Sequence, residues 1–265
     1  ITLRALDVIN ACDLLLAEDT RVSGKLLAAY QISKRLERYD EHVADRATPR
    51  ILERLEAGER VALVSDAGTP MVSDPGYRLA KAPIAAGHPV FPIPGASAAL
   101  AALTLAGLPT DRFLFAGFLP TKEKARADML SELGGLRATL IFYESGPRLG
   151  KTLAAMTDLL GAEREAVVAR GLTKRHEEVV FGTLAELAER YAADSPKGDI
   201  VLLLGPPVES TADASEEQIE AALIEALGRL PTSKAAAEVA QRFGLDRKAL
   251  YARATGLKTQ LKTRP

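Results

Sequence analysis

A short apolar segment that ends abruptly in polar residues most constrains the fold of this chain. Residues 61–64 (Val-Ala-Leu-Val) have the length of a buried strand, and Ser65-Asp66-Ala67-Gly68-Thr69-Pro70 follows directly. A helical pattern then occupies residues 77–87. This order of strand, loop and helix is typical of an open α/β sheet, in which ligands bind outside the carboxyl ends of the strands. We therefore expect Asp66 and Thr69 to lie in a ligand site.

The same loop also has a purely structural interpretation. Asp66 and Thr69 could do no more than satisfy backbone groups of the loop. Asp74 and Pro75 fit the N-cap and the first position of the following helix, and we expect that role for them. Because two Asp-containing turns crowd one short loop, a functional role is favoured for Asp66.

The composition excludes several classes of protein. The chain has 265 residues, of which 47% are hydrophobic and 26% charged, and no apolar run approaches membrane-spanning length. Neither end resembles a secretion signal, and the single Cys12 rules out a disulfide framework, so we expect a soluble protein of the reducing cytoplasm. Three scattered histidines and one cysteine argue against a metal site. The chain opens in a helical pattern rather than on a strand, so we expect a further segment upstream.

The net charge of −1 conceals an uneven distribution. Residues 229–265 contain nine Lys or Arg and two acidic residues, a net +7, so the rest of the chain carries −8. A basic end on an acidic body favours a polyanionic partner that meets one end of the molecule. A solvated basic end without a partner is the alternative, and charge alone does not decide between them.

Other predicted strands also end in polar residues. The run Leu14-Leu15-Leu16 leads to Glu18-Asp19-Thr20-Arg21, and the run 139–143 leads to Glu144-Ser145. Later strands at 166–170, 179–181 and 200–204 alternate with helices, and the first two of these are close enough to form a hairpin. The second half is therefore expected to have a more antiparallel sheet.

The segments between these strands give weaker signals. Pro94-Gly95-Ala96-Ser97 leads into a helix of small residues that lets a flat ligand lie against backbone, although tight helix-on-sheet packing needs the same residues. The remaining predictions are a helix from Ser23, a charged loop over 33–47 with His42 exposed, a helix opened by Thr48-Pro49, a strand over 89–93 and a hinge at 117–120.

The C-terminal tail is predicted to be helical. Ser215 begins one helix, Thr232-Ser233 begins a second that ends at Phe243-Gly244, and Asp246 caps a third. Two short helices joined through Gly-Leu with a basic outer face resemble a helix-turn-helix, a pattern that many small helical bundles share.

Seven motifs occur in unbroken order along residues 1–205: Glu18-Asp19-Thr20-Arg21, Ser65-Asp66-Ala67-Gly68-Thr69-Pro70, Ser73-Asp74-Pro75-Gly76, Pro92-Ile93-Pro94-Gly95, Gly117-Phe118-Leu119-Pro120, Phe142-Tyr143-Glu144-Ser145, and Leu172-Thr173-Lys174 with His176-Glu177-Glu178. Together they closely resemble the ribosomal RNA small subunit methyltransferase I family, part of the tetrapyrrole-methylase-like superfamily of S-adenosylmethionine (SAM) enzymes. The basic helical tail is similar to the C-terminal extension of that family.

The resemblance implies an α/β, two-domain tetrapyrrole-methylase-like fold with SAM in the interdomain cleft, plus a small C-terminal all-helical domain. We divide the chain into an N-terminal α/β domain at 1–117, a C-terminal α/β domain at 118–207, and an acidic linker with a basic RNA-contact domain at 208–265. The resemblance further implies a homodimer that methylates the 2′-hydroxyl of a cytidine ribose in the decoding region of small-subunit (16S) ribosomal RNA, as free RNA or assembled subunit.

The resemblance also assigns the cofactor to particular residues. Ser65, Asp66, Gly68 and Thr69 would hold the methionine and ribose end of SAM; Ser97 and Ala98 would contact it in the cleft; Tyr143, Glu144, Gly171 and Leu172 would line the adenine side; and Gly198 would close the site. The family's first strand, with its Gly/Pro loop, lies outside this sequence. Gly171 also stands where the family usually has Glu, which weakens an acid role there.

The chemistry of the implied reaction narrows the catalytic candidates. Methyl transfer from a sulfonium is an in-line displacement, so positioning supplies much of the rate and no metal is needed. A ribose hydroxyl is a poor nucleophile, so a base within hydrogen-bond reach would help. We expect Lys174, Glu18 and Arg21 to be catalytic; the expected RNA-binding residues are Arg175, His176, Arg242, Arg247, Lys248 and Arg253.

Two other functions remain open from the sequence. A tetrapyrrole (precorrin-type) SAM methyltransferase would use the same fold but would have no use for the basic tail. A non-catalytic RNA-binding ribosome assembly factor would keep the cofactor fold without the reaction.

Overall fold

The computed structural model describes residues 1–40, 42–73, 76–193, 195–207, 216–243 and 245–263, and for 241, 242 and 259–263 it describes the backbone alone. The chain divides into two compact units, Ile1–Pro206 and Pro207–Pro265. Within the described residues, no helix is both long enough and apolar enough to cross a membrane.

The first unit begins with a small parallel sheet. Its strands are β1 (Leu14–Ala17), β2 (Leu36–Arg38) and β3 (Val61–Val64), in the order β2-β1-β3. Four helices accompany them: α1 (Leu3–Ala11), α2 (Thr20–Ala29), α3 (Ala44–Glu56) and α4 (Tyr77–Ala85). Because the three strands are parallel, their carboxyl ends lie at one edge, where the polar residues that follow them come together.

A five-stranded sheet forms the second half of this unit. Its strands are β4 (Phe113–Phe118), β5 (Thr139–Ser145), β6 (Glu165–Arg170), β7 (Glu178–Thr183) and β8 (Asp199–Leu204), in the order β4-β5-β8-β6-β7. Only β4 and β5 pair in parallel, and β6 and β7 form the predicted hairpin. The helices of this half are α5 (Ala98–Leu105), α6 (Glu123–Leu133), α7 (Gly146–Leu160) and α8 (Leu184–Arg190).

The two faces of the five-stranded sheet bury different helices. On one face, Leu140, Phe142 and Leu202 pack with residues of α6, α7 and α8 in the largest apolar cluster. On the other face, Ile141 and Leu203 pack with the small residues of α5. Strand residues alternate between the faces, so the near-continuous apolar run of β5 is explained by burial on both sides. This second cluster holds α5, and hence the 94–97 turn before it, against the sheet.

The second unit consists of three helices: α9 (Glu216–Arg229), α10 (Thr232–Phe243) and α11 (Arg247–Thr263). They have an apolar core of their own, with Leu223, Val239 and Leu250 at its centre. The side chain of Asp246 accepts a hydrogen bond from the Ala249 N–H at 2.9 Å, the cap that the sequence predicted for α11. The helix predicted to begin at Ser215 is present as α9; Ser215 itself lies outside the described residues, and the acidic residues from Glu216 onward are part of this helix.

Three predictions for the first half of the chain are wrong in detail. The segment 33–47 is not a loop throughout, because it contains β2 and the start of α3. Pro49 therefore lies inside α3 rather than at its beginning. The helix expected from Ser23 begins at Thr20 with Asp19 as its N-cap, so Arg21 lies in a helical first turn. Asp74 and Pro75, the predicted cap of α4, lie outside the described residues; α4 begins at Tyr77 after Gly76.

The predicted strand over 89–93 and the predicted hinge also differ from the structure. Residues 89–93 form no ladder in the structure. Pro89 and Pro92 lack backbone N–H groups, which limits the ladder that this segment can make. Gly117 and Phe118 belong to β4 and pair with β5, so a domain boundary after 117 would interrupt a strand. The boundary expected after 207 lies one residue from the division between the two compact units.

Candidate functional site

The carboxyl ends of β1, β2 and β3 open into one pocket, which we call the strand-end pocket. Its volume is about 740 Å³. The residues that line it follow one or another of the three strands: Glu18, Asp19, Thr20, Arg21, Arg38, Asp40, His42 and Asp66. Every residue of this lining has a charged or polar side chain, so the pocket offers several polar groups to a ligand.

Hydrogen bonds join the loops that form this pocket. The carboxylate of Asp66 accepts a bond from the Asp19 N–H at 3.2 Å, which links the residues after β3 to those after β1. Asp19 also accepts from the Arg21 N–H at 2.8 Å, and the Arg21 guanidinium binds its carboxylate at 2.7 and 3.1 Å. These bonds from Arg21 lower the pKa of Asp19 to about 2. Asp19 is therefore an ionised anchor for Arg21 and a weak base.

Arg38, Asp40 and His42 line the pocket although sequence reasoning did not select them. Asp40 is buried; burial alone would raise its pKa, but bonds from the Val43 N–H and from Arg38 outweigh that effect, and the net pKa is lowered. It also accepts from the His42 N–H at 2.9 Å. The sequence signal for these residues is Asp40, which stands three residues before Val43, and Val43 is the N-cap of α3. The strand before it, β2, is too short and too polar to recognise from the sequence.

The loop after β3 is fixed to the turn before α5. The Thr69 hydroxyl donates to the carbonyl of Ala96 at 2.8 Å. Gly68, Met71 and Ser73 all have positive φ, which for the two non-glycine residues is a strained conformation of order 1–3 kcal/mol each. Strained residues persist only where the surrounding structure holds them in place, and they occur most often at active sites and ligand-binding loops. The conformation of this loop is therefore consistent with the ligand role predicted for Asp66 and Thr69.

The turn before α5 also connects the strand-end loops to the second sheet. Ser97 is the N-cap of α5, where its hydroxyl accepts from the Leu100 N–H at 3.4 Å, and Ala98 is the exposed first residue of the helix. Ala99 then packs in the cluster that Tyr143 and Leu172 border. Thr69 and Gly68 contact this turn, Ser97 and Ala98 form its end, and Tyr143 and Leu172 border the sheet cluster on which α5 packs.

The surface around this turn is exposed and formed by small residues. A Cβ on Gly68 would meet only the Ala96 carbonyl, at 3.9 Å, and Ala96 and Ala98 are exposed. Backbone groups and methyl-sized side chains therefore form the surface on which a flat ring could lie. The ring of Tyr143 is half-buried and held edge-to-face by Phe115 at 4.7 Å and Phe118 at 5.5 Å. The residues present fit the SAM that the sequence resemblance implied.

Three other predicted cofactor residues differ in what they can offer. Glu144 is buried, and its carboxylate accepts from Thr152 at 2.7 Å and from the Ser145 N–H at 2.8 Å, so this side chain supports the fold. Gly171 is buried with φ +57°, and its N–H donates to the Asp199 carbonyl at 3.0 Å. Gly198 has φ +105° with open space where a Cβ would stand.

Lys174 lies at the second sheet, in the connection between β6 and β7. Its ammonium group pairs with Asp199 at 2.5 Å, and both side chains are largely exposed. The backbone beside it is strained, because Thr173 has φ +63° while its N–H donates to Glu177. Lys174 is not among the residues that line the strand-end pocket, whereas Glu18 and Arg21 are. The structure therefore brings together two of the three predicted catalytic side chains.

The predicted RNA-binding residues differ in how freely they can contact a partner. Arg175 and His176 are exposed beside Lys174, and Arg247 and Lys248 are exposed in the first turn of α11. Arg253 instead binds α9, with its guanidinium 3.1 Å from the Glu216 carbonyl oxygen and 3.4 Å from the Glu220 carboxylate. The side chain of Arg242 lies outside the described residues.

A metal centre is not formed by the part of the chain that the structure describes. In those residues, no group of three or more His, Cys, Asp or Glu side chains could hold a metal ion. The lone Cys12 is buried, and burial raises the pKa of its thiol.

Two protein-family models match this chain. Residues 1–188 match the family described as Tetrapyrrole (Corrin/Porphyrin) Methylases, and residues 213–258 match the family described as RsmI C-terminal HTH domain. The first match spans the strand-end pocket and the predicted cofactor residues up to Leu172, and the second spans α9, α10 and α11 as far as residue 258.

Known proteins resemble both the sequence and the fold. The ribosomal RNA small subunit methyltransferase I of Mesorhizobium japonicum is 51% identical to this chain, and the match covers 97% of this chain and 87% of the relative. The protein of the same name in Erythrobacter litoralis is 53% identical, and the match covers 98% of this chain and 91% of the relative. Among solved structures, a diphthine synthase has a TM-score of 0.59 at 17% identity over 77% of this chain and 84% of its own. A uroporphyrin-III C-methyltransferase from Thermus thermophilus, complexed with S-adenosylhomocysteine, has a TM-score of 0.52 at 20% identity over 78% and 92%. The fold, the order of the motifs and the nearly full-length identity agree, and the chain belongs to the ribosomal RNA small subunit methyltransferase I family of the tetrapyrrole methylases.

Proposed function

We propose that this protein transfers the methyl group of SAM to the 2′-hydroxyl of a cytidine ribose in the decoding region of small-subunit ribosomal RNA. The observation that carries the proposal is the presence, in one chain, of a methylase fold and a C-terminal helix-turn-helix match, with 51–53% identity over nearly the whole chain to relatives named for methylation of this RNA. An RNA substrate of this kind places the reaction in the cytoplasm.

When bound, SAM supplies an electrophilic methyl group on a sulfonium, and the protein must hold the ribose oxygen in line with it. The loop 65–69 and the turn 94–97, joined by the bond from Thr69 to Ala96, form one side of the cofactor site. Tyr143 and Leu172 border the sheet cluster on which α5 packs and form the other side. These elements would fix the cofactor while the charged pocket beside them receives the RNA.

The reaction leaves one proton to be removed from the 2′-hydroxyl. Asp19 is poorly suited to accept it because its pKa is about 2. Glu18 lines the same pocket and is the better carboxylate candidate for the base. Arg21 reaches from its bond with Asp19 into the pocket, where its exposed guanidinium could orient a phosphate. Lys174 would act from the second sheet, held by Asp199.

The proposed oligomer is a homodimer. Several large apolar side chains of the α5 and β4 region are exposed, among them Leu100, Leu105 and Phe113. Exposed apolar groups in one region favour burial against another protein surface. Sedimentation velocity of the purified protein tests this, since a monomer at micromolar concentration would contradict it.

The experiment that tests the function supplies labelled SAM with three possible acceptors in parallel. These are assembled small subunits, protein-free ribosomal RNA and a precorrin-like tetrapyrrole. We expect label in 2′-O-methylcytidine after digestion of the RNA to nucleosides, and the preferred RNA form identifies the natural acceptor. Label in the tetrapyrrole alone would assign a small-molecule substrate. SAM binding without any transfer would instead favour an RNA-binding assembly factor.

The same assay tests the proposed catalytic role of Lys174. The variant Lys174→Ala is expected to lose methylation while it keeps its SAM affinity. Asp199→Asn, which removes only the charge partner, is the matched variant. Unchanged turnover in Lys174→Ala would exclude a catalytic role for this residue.

A further inference from the structure

A second cavity adjoins the strand-end pocket and has a different lining, in which every charged group is a base. Its volume is about 460 Å³, and its lining consists of Arg38, Val43, Arg46, Ala47 and Arg50. We call it the arginine groove. Arg38 lines both cavities, so the groove continues directly from the residues that include Glu18 and Arg21.

The charges of the groove are not neutralised by their own helix. Arg46 and Arg50 stand four positions apart on α3, so both project from one helix face, and both are exposed. Within the described residues neither of them forms an ion pair, and the nearest acid in sequence, Asp45, is paired with Arg78 at 3.0 Å. Two further exposed acids of α3 lie toward its C-terminal end: Glu53 stands three positions after Arg50 but forms no ion pair with it in the described residues, and Glu56 stands one turn farther on. The groove therefore presents two uncompensated guanidinium groups beside a third.

The groove is also held in a fixed shape. Buried Asp40 pairs with Arg38 and accepts from the N–H groups of His42 and Val43, which fixes Arg38 relative to the start of α3. Farther along, the Thr48 hydroxyl donates to the Ala44 carbonyl at 2.7 Å and lies 3.3 Å from the Tyr39 hydroxyl. Tyr39, the residue after β2, thus joins this strand to α3 at a second point and helps to fix the backbone around the groove, whereas the exposed side chains of Arg46 and Arg50 must be ordered when a ligand binds.

We propose that the arginine groove binds the phosphate backbone of the RNA segment that continues from the methylated nucleotide. Arginine forks match phosphate oxygens in geometry and charge. Between the arginines the lining consists of the side chains of Val43 and Ala47, with no aromatic group on which a base could stack. Binding here should therefore be independent of base identity. This inference rests on the proposed function, because it takes RNA as the substrate.

The test compares the double variant Arg46→Gln/Arg50→Gln with Lys124→Gln/Lys151→Gln, which removes the same charge from exposed positions on α6 and α7. RNA affinity is measured as a function of salt, and KM and kcat for methyl transfer are measured on the same RNA. Each arginine that neutralises one phosphate of single-stranded RNA releases about 0.7 counterion. If each of the two arginines binds one phosphate, the slope of log affinity against log salt concentration should be smaller in magnitude by about 1.4 in the groove variant. This corresponds to an about tenfold loss of RNA affinity near 0.15 M salt and a similar rise in KM, with kcat nearly unchanged.

Further measurements separate the possible failures. Arg46→Lys/Arg50→Lys keeps the charge and should keep the wild-type slope, and SAM affinity should be unchanged in every variant, which verifies folding. A groove variant with the slope and KM of the α6/α7 control would overturn the inference. If the wild-type protein binds RNA with a slope that depends on the groove but transfers no methyl group, the proposed function fails while the groove inference stands. Failure of the wild-type protein to bind RNA would overturn both.

Discussion

Asp19 and Arg21 show how one ion pair can determine the roles of both partners. The carboxylate accepts three bonds from Arg21, one from its backbone and two from its guanidinium, and its pKa falls to about 2. A carboxyl group whose pKa is lower in the folded protein than in the unfolded chain stabilises the folded protein. For Asp19 this contribution is fully present at a pH above its unfolded pKa of about 3.8, and it is lost as the pH falls through its folded pKa of about 2. At neutral pH the pair is fully ionised, so Asp19 holds Arg21 in the pocket.

This pair gives a prediction at the residue scale. In Arg21→Ala the largest stabilising bonds to the carboxylate are lost, so the pKa of Asp19 should rise toward 3.8, remaining lower because the backbone bond at residue 21 persists. The measurement is a carboxyl-carbon NMR titration of labelled aspartate. Arg38→Ala is the matched control and should raise the pKa of Asp40 instead. An Asp19 midpoint that is the same in Arg21→Ala and in the wild-type protein would contradict the assignment.

Individual site residues could be predicted from the sequence where a polar residue follows a recognisable strand. Glu18 and Asp66 were selected in this way, and the bond from the Asp19 N–H to Asp66 confirms that the two strand ends meet. Arg38 and Asp40 were missed because β2 is three residues long and contains two charged residues. Its place beside β1 is set by backbone pairing, which leaves no hydrophobic pattern to recognise.

At the scale of elements, burial decided which predictions were correct. Strands β5, β6 and β8 are covered on both faces, so their apolar runs were visible, and all three were predicted. Residues 89–93 are also apolar but contain two prolines, and they form no ladder in the structure. Helix α3 was expected to begin at Pro49 because proline favours a first turn. Instead, the carboxylate of Asp40 accepts hydrogen bonds from the N–H groups of His42 and Val43, and the helix begins at Ala44.

Close backbone contacts supply a prediction at this scale. Gly146 begins α7, and a Cβ there would lie 1.6 Å from the Pro196 carbonyl oxygen, so the helix or the 195–197 segment must move. We expect Gly146→Ala to lower the free energy of unfolding by about 1–3 kcal/mol or more. A Cβ on Gly24 in α2 would meet only the Leu36 side chain, at 3.9 Å. Gly24→Ala should therefore raise the free energy of unfolding by about 0.5–1 kcal/mol. Urea unfolding of the two variants measures both changes. Equal midpoints would show that the Pro196 carbonyl does not lie this close to Gly146 in solution.

For the whole molecule, the basic tail lies within the second unit, but acidic residues before the tail offset its charge. Residues 207–265 contain nine Lys or Arg and eight Asp or Glu, a net +1, and residues 1–206 carry a net −2. The strand-end pocket and the predicted cofactor residues lie in the first unit. Part of that basic charge is used internally, since Arg229 pairs with Glu238 and Arg253 with Glu216 and Glu220. Arg247 and Lys248 remain exposed, so fewer bases are available for RNA than the count along the sequence suggests.

The separate apolar core of the C-terminal unit allows the two activities to be tested apart. Leu223, Val239 and Leu250 belong to an apolar cluster whose described members all lie in α9 to α11 or the short connections between them, so removal of residues 208–265 takes away this cluster and no strand of either sheet. We expect residues 1–207 to bind SAM with unchanged affinity, because the residues predicted to bind it all lie in the first unit. Their affinity for ribosomal RNA should fall, with a smaller salt slope, because the exposed bases of α11 are lost. Calorimetry with SAM and RNA binding at two or more salt concentrations measure the two effects.

Arg247→Gln/Lys248→Gln in the full-length protein is the matched variant, and it should reproduce part of the loss of slope. A truncated protein that binds and methylates ribosomal RNA like the full-length chain would show that the groove and pocket of the first unit suffice for recognition.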